Sequence, residues 1–294
     1  MSKADSLFEQ VTRDVIAAIE AGAGEWKMPW QSLARPHVSL AGRPYRGINV
    51  WMLTFAAEQN GYASHQWGTY KAWSELGHHV RKGEKATHVA LWKPSTRPDP
   101  NDPAKTKESL YTTTFSVFAR EQIDDADNEP LPALELGLLD TPDRIAEAEV
   151  YLTAIGADVR EGGDRAFYAP VQDYIGIPTL AQFRSAADYY STLAHEHTHW
   201  TGHESRLKRE LRNRFGSEAY AAEELIAELG AAFWCAQMGI SQAPRPDHAQ
   251  YLSHWLRILR ADSKALLTAS SQAQKAIDHL NKVAGHESIQ EVAA

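Results

Sequence analysis

"LAHEHTHWTGHESRL", residues 193–207, is the stretch whose reading decides the fold. It sets His195, Glu196 and His199 in the order H-E-x-x-H. Phe183, Ala187, Tyr190 and Ala194 precede it at helical spacing, which predicts a helix from about Leu180 through His199. Side chains four apart on a helix share a face, so His195 and His199 can reach one ion, with Glu196 one step round. His197 falls off that face and reads as a surface histidine or a supporting one. The five-residue pattern alone is loose, because a histidine-rich surface helix produces it by chance.

A catalytic zinc needs a third protein ligand and an open fourth position. Two places offer the ligand. Gly202 continues the metzincin spacing H-E-x-x-H-x-x-G-x-x-H, but the final position is Ser205, and His203 comes two residues early. Downstream, "AYAAEELIAELGAAFWC" (219–235) predicts a second helix, from about Ser217 to Gln237. Its apolar stripe is Ala222, Leu225, Ile226, Leu229 and Phe233, with Glu224 and Glu228 together off the stripe. That is the layout of a zincin whose third ligand is a second-helix glutamate, so Glu224 is preferred over His203. Glu228, one turn on, is placed to orient a ligand histidine from behind. The expected set is His195, His199 and Glu224 as ligands of Zn2+ or another divalent metal, with Glu196 as the general base of a hydrolysis. Tyr189, Tyr190 and Tyr220 are the candidates to steady an oxyanion.

The first part of the chain is different. The 294 residues carry a net charge of −8, which argues against a uniformly basic nucleic-acid binder. Residues 1–93 nonetheless hold 11 Lys+Arg against 8 Asp+Glu, while the remainder holds 19 against 30. Trp26, Trp30, Trp51, Trp67, Trp73 and Trp92 crowd this segment, interleaved with basic residues. Aromatic faces beside a cationic track are what single-stranded nucleic acid requires. Most tryptophans are core residues, so Tyr45, Arg46, Trp67, Tyr70, Lys71, Arg81, Lys82 and Lys85 are selected as DNA-binding candidates on the expectation that turns present them.

Around these sites the pattern predicts helices over 5–22, 49–59 and 142–155, a short one in "WGTYKAWSELG", and a last helical region over 247–283. Two strands are expected in "HHVRKGEKATHVALWKP", joined at Lys82-Gly83-Glu84. An exposed loop is expected over 94–108, and then a strand over 110–119 pairing back. "GGDRAFYAPVQDYIGIPT" predicts a hairpin with Ala166, Tyr168, Tyr174 and Ile177 inward. The expected class is α+β. A ssDNA-binding domain over 1–125 and an acidic linker over 126–141 precede a mainly helical zincin-like domain with a small sheet over 142–294. The single cysteine, Cys235, excludes an intrachain disulfide framework. With no signal-like or membrane-length apolar run, a soluble cytoplasmic protein without membrane contact is expected.

The blocks "GRPYRGINVWML", "WGTYKAW", "VRKGEKATHV", "FSVFAREQ", "GGDRAFYAP", "FRSAADYYSTLAHEHTHWTGHESRL" and "FGSEAYAAEELIAELGAAF", in this order over about 8–240, resemble the ArdC-type antirestriction proteins of conjugative plasmids. The N-terminal module also looks like the one fused to plasmid-type primases. The resemblance implies an N-terminal single-stranded-DNA-binding domain, a C-terminal zincin-like metallopeptidase domain, and protection of incoming DNA from host restriction. Its metal positions map onto His195, Glu196, His199 and Glu224. "VFARE" departs from the family pattern at Ala119, where the pattern carries Asn. The alternative function is an active zinc endopeptidase of gluzincin type that uses the N-terminal domain to localise on DNA, with host restriction machinery as its partner.

Overall fold

The computed structural model describes residues 3–22, 36–99, 102–124, 142–211, 218–240 and 248–286. They form two compact units. Described residues 3–11 and 37–124 make the first, and 12–22 with 142–286 make the second. No helix among the described residues is long and apolar enough to cross a membrane.

Helix α1, Lys3–Gly22, opens the chain, and its sequence is divided between the two units. In the first unit follow β1 (Val38–Ser39), α2 (Ile48–Asn60), β2 (Gln66–Gly68), α3 (Tyr70–Glu75), β3 (His79–Val80), β4 (Thr87–Asp99), β5 (Asp102–Ala119) and β6 (Ile123–Asp124). The main sheet has the order β1-β2-β5-β4. Helix α2 lays Leu53 and Ala57 on one sheet face, against Trp67, Val89, Val117 and Ala119, to form the core. Gly61 ends α2 in the left-handed conformation at φ 69, the usual glycine stop. The Trp67 indole donates to Nδ1 of His37 at 3.0 Å, and Nε2 of His37 lies 3.1 Å from the Thr54 hydroxyl, which donates to the Val50 carbonyl. This buried chain holds β2 to α2 and requires a neutral His37. Burial, helped by the charge of His65, lowers its pKa to about 3.

Two expectations for this unit fail. β3 and β4 do not pair with each other, because β3 pairs with β6 beyond β5 and leaves Lys82-Gly83-Glu84 as a plain turn. Nor do the described residues of 94–108 form a loop: β4 and β5 stay in register from Thr87↔Val117 to Pro98↔Thr106. The prolines misled the reading. Pro94 and Pro98 lie four apart on an edge strand, so their missing N–H groups fall on one side of β4, where an edge strand needs no partner.

The second unit runs α4 (Pro142–Ala154), β7 (Asp158–Glu161), β8 (Phe167–Ala169), β9 (Tyr174–Ile177), α5 (Ala186–Thr201), α6 (Glu218–Met238), α7 (His248–Ala261) and α8 (Ala265–Val283). Its sheet has the order β7-β9-β8, with β7 parallel and β8 antiparallel to β9. Central β9 buries Ile175 as well as Ile177, whereas Tyr168 and Tyr174 are only partly covered. Helix α5 starts later than expected. A single 3-10 turn occupies Leu180–Gln182, and Ser185 then caps α5 by accepting from the Asp188 amide at 3.1 Å. Helix α6 is buried nearly all round, from Ala227 through Ala236, and the predicted stripe members Ala222 and Ile226 are among its less covered residues.

Candidate metal centre and nucleic-acid face

Helix α5 presents His195 and His199 one turn apart, and their rings meet edge to face with Nε2 atoms 3.2 Å apart. Helix α6 packs across them and brings in Glu224. Its carboxylate oxygens lie 3.6 Å from Nε2 of His195 and 3.6 Å from Nε2 of His199. One ligand atom from each of the three residues falls within a 4.8 Å cluster. Ligands about 2.0–2.1 Å from a tetrahedral metal stand about 3.3 Å from one another, so the donor set fits a divalent ion.

Buried charge points the same way. Glu196, Glu223, Glu224 and Glu228 are all under a tenth exposed. Burying carboxylates is costly unless cations compensate them. Burial alone would raise the Glu224 carboxyl, but the hydrogen bond from His195 and the charges of both histidines outweigh it and hold its pKa near 2. Tyr220 also bonds that carboxylate. Of the three tyrosine candidates, Tyr189 donates to Glu161 at 2.8 Å and Tyr190 to Glu149 at 2.9 Å, so Tyr220 alone stands at the cluster.

Behind the histidines stand two further acids. Glu228 Oε1 lies 2.9 Å from Nδ1 of His195. Glu223 Oε1 lies 3.2 Å from Nδ1 of His199 and is gripped by Arg209, at 2.9 Å from Nη2. For Glu223 burial again raises the pKa, and the bonds from His199 and Arg209 more than reverse it. Arg209 also donates to the Thr201 hydroxyl and the Thr198 carbonyl. The sequence reading missed Glu223 and Arg209. A clue lies in Gly202, where a Cβ would come within 3.0 Å of Arg209 Nη2 and of the His199 carbonyl. Its φ of −75 asks for no glycine. Gly202 therefore leaves room for the returning Arg209 and for Leu211, whose Cδ2 would be nearer still at 2.9 Å, rather than continuing a metzincin motif. His203 is turned away, bonded to Ser205 at 2.8 Å and 4.0 Å from Asp173. His197 is not on the surface: it is fully buried, with Nδ1 2.8 Å from the Leu193 carbonyl and its pKa lowered by burial to about 4.

In the first unit the eight DNA candidates separate. Tyr45, Arg46 and Trp67 line one cavity, with Trp67 wholly buried on β2 rather than carried by a turn. Tyr70 is 57% exposed, and Lys71 pairs with Glu75 at 3.5 Å on the surface of α3. Arg81 is tied to Glu84 and to the carbonyls of Glu121 and Ile123, so it braces the turn after β3. Lys82 and Lys85 are exposed. Trp26, Lys27 and Trp30 lie outside the described residues. Ala119, the departure from the family pattern, is buried opposite Trp67 in the ladder.

A helical unit with a small sheet and an H-E-x-x-H helix facing a glutamate on its neighbour defines a zincin-like domain. Residues 146–272 match the family described as zincin-like metallopeptidase, and residues 5–118 match the N-terminal domain of anti-restriction factor ArdC. The antirestriction ArdC protein from the R388 plasmid is 40% identical in its metal-free crystal structure, with a TM-score of 0.79 over 96% of this chain and 98% of that one. In its Mn(II)-bound structure it superimposes with a TM-score of 0.77 at 39% identity, over 96% of this chain and 99% of that one. The chain belongs to the ArdC family of antirestriction proteins. It is also 39% identical to the uncharacterized protein y4eC of Sinorhizobium fredii (strain NBRC 101917 / NGR234), over 94% of this chain and 91% of that protein. DNA primase TraC of Escherichia coli is 38% identical over 92% of this chain, which spans only 26% of the primase.

Proposed function

We propose that the chain is an antirestriction protein that binds single-stranded DNA and protects incoming conjugative DNA from host restriction. In this reading residues 1–125 are the DNA-binding domain, 126–141 a linker, and 142–294 a domain that binds a divalent metal, zinc in the first instance. The observation that carries the DNA reading is the match of residues 5–118 to the N-terminal domain of anti-restriction factor ArdC. The aromatic and cationic side chains gathered in that unit support it. For the metal, the support is the three-residue donor cluster and the Mn(II)-bound state of the R388 relative.

Bound at His195, His199 and Glu224, the metal would supply Lewis acidity for hydrolysis of an amide. Glu196, one step round the helix from the ligand face, would take a proton from water and deliver it to the leaving nitrogen, and Tyr220 would steady developing negative charge. The alternative function, an active endopeptidase that localises on DNA and cuts restriction machinery there, draws on the intact Glu196, since a purely structural metal has no use for a general base. Shielding is preferred because it needs only the DNA-binding unit.

The test is binding of the purified chain to labelled single-stranded and duplex oligonucleotides of one sequence. Tighter binding of the single strand, weakening steeply with salt as counterions are released, is the expected result. A folded chain that shifts neither oligonucleotide at low salt removes the reading.

A further inference from the structure

Helix α2 covers only part of the sheet face on which the first unit builds its core. Beside it lies a cavity of about 810 Å³, within the range that encloses organic ligands. Trp67, Val89 and Val117 are its buried apolar lining. Tyr45 and Phe115 add two partly buried rings packed against the same core. Arg43, Arg46 and Lys93 also line it, and Glu75 is the one carboxylate among the described lining residues. Lys93 carries its ammonium 5.2 Å from the centre of the Phe115 ring, so cation and aromatic surface lie together.

The chemistry of this lining restricts the ligand. A concave apolar floor rejects a hydrated ion, and three cations against one carboxylate reject a cation. A flat aromatic group attached to an anion satisfies both parts. One wall is fixed in advance. The Asn49 amide donates to the Ala90 carbonyl and accepts from the Ala90 N–H, both at 2.7 Å, clamping edge strand β4 to the start of α2. Asn49 is the one carboxamide in the lining, and these bonds occupy it, so stacking outweighs reading of base edges.

We propose that this cavity receives a base of single-stranded DNA, turned in against Tyr45 and Phe115, with the flanking phosphates held by Arg43, Arg46 and Lys93. The proposal rests on the reading that the first unit binds single-stranded DNA, and it moves the contact away from the exposed Lys82 and Lys85.

The full chain is titrated into a fluorescein-labelled oligo-dT strand and followed by anisotropy. Leu91, also in the lining, is changed to Trp to fill the cavity without altering charge. This variant binds about 5- to 150-fold more weakly, the loss of about one stacked base. Arg43→Gln with Lys93→Gln lowers the salt slope by about 1.4, as two released counterions require. Lys275→Gln, at an exposed lysine of α8 in the second unit, leaves affinity and slope as in the wild type. In parallel, the wild type is photocrosslinked to a 5-bromouracil oligonucleotide, and the attachment is expected on peptides holding Tyr45 or Phe115. Wild-type affinity and slope in the Leu91→Trp and Arg43/Lys93 variants, with unchanged thermal melts, overturn the cavity proposal alone. Crosslinks confined to peptides outside the cavity do the same. A wild type that binds no single strand overturns the DNA reading and the cavity together.

Discussion

The metal-ligand cluster and the cavity of the first unit are built in opposite ways. Two helices supply the whole donor set of the first, from positions that helical periodicity already relates: 195 with 199, and 224 with 228. The cavity draws its lining from the 39–46 segment, α2, β2, α3, β4 and β5. No periodicity links those segments before the sheet forms. The metal-ligand cluster is also largely buried and rich in carboxylates, whereas the cavity lining carries Arg43, Arg46 and Lys93 beside Glu75. Chemistry assembled within helices can be read from spacing; a surface assembled from separate strands becomes visible only once register is known.

The sharpest way to break this contrast is to remove the metal ligands. His195→Ala, His199→Ala and Glu224→Ala each lose bound divalent metal, a fall of 100-fold or more in occupancy on elemental analysis, while Glu196→Ala keeps it. Full occupancy in Glu224→Ala together with loss in His203→Ala would show that the third ligand is misassigned. None of the four changes oligonucleotide binding if the two sites are independent.

Acid separates the units in another way. His37 is buried and neutral, with its pKa lowered by burial to about 3 from an ordinary 6.5. The unfolded chain therefore binds a proton there that the folded unit refuses. The stability that His37 contributes is present above about pH 6.5 and is lost as pH falls toward 3, on the order of 4 kcal/mol at the limit. Urea unfolding followed by tryptophan fluorescence, at pH 7 and pH 4, should give a smaller loss for His37→Gln than for the wild type. Equal losses would remove this account of the first unit.

A smaller effect sharpens the second unit. Glu223→Gln or Arg209→Met should weaken metal affinity about 10- to 100-fold, measured by competition with a chelator, with the ligands themselves intact. Unchanged affinity would mean that His199 needs no orientation from behind.

These residues also mark where the sequence could be read and where it could not. His195, His199, Glu224 and Glu228 were legible because i, i+4 spacing on amphipathic helices survives into the fold. Glu223 was not. It lies next to Glu224, and its role depends on Arg209, which a turn through Lys208 at φ 53 returns to α6. Gly230 was equally silent, although a Cβ there would lie 2.6 Å from Thr198, so its absence sets how closely α5 and α6 approach. In the first unit Trp67 could be named but not placed. The same tryptophan serves a core or a binding face according to the pairing of β2 with β1 and β5, which no spacing in the sequence shows.

If protection resides in the first unit, it does not need the general base of the second. Conjugative transfer into a restricting recipient measures it directly, with wild type, Glu196→Ala and the triple variant Arg43→Gln, Arg46→Gln, Lys93→Gln, all folded and equally expressed. The account predicts that Glu196→Ala protects like the wild type and that the triple variant does not. Protection lost in Glu196→Ala and kept in the triple variant would contradict it.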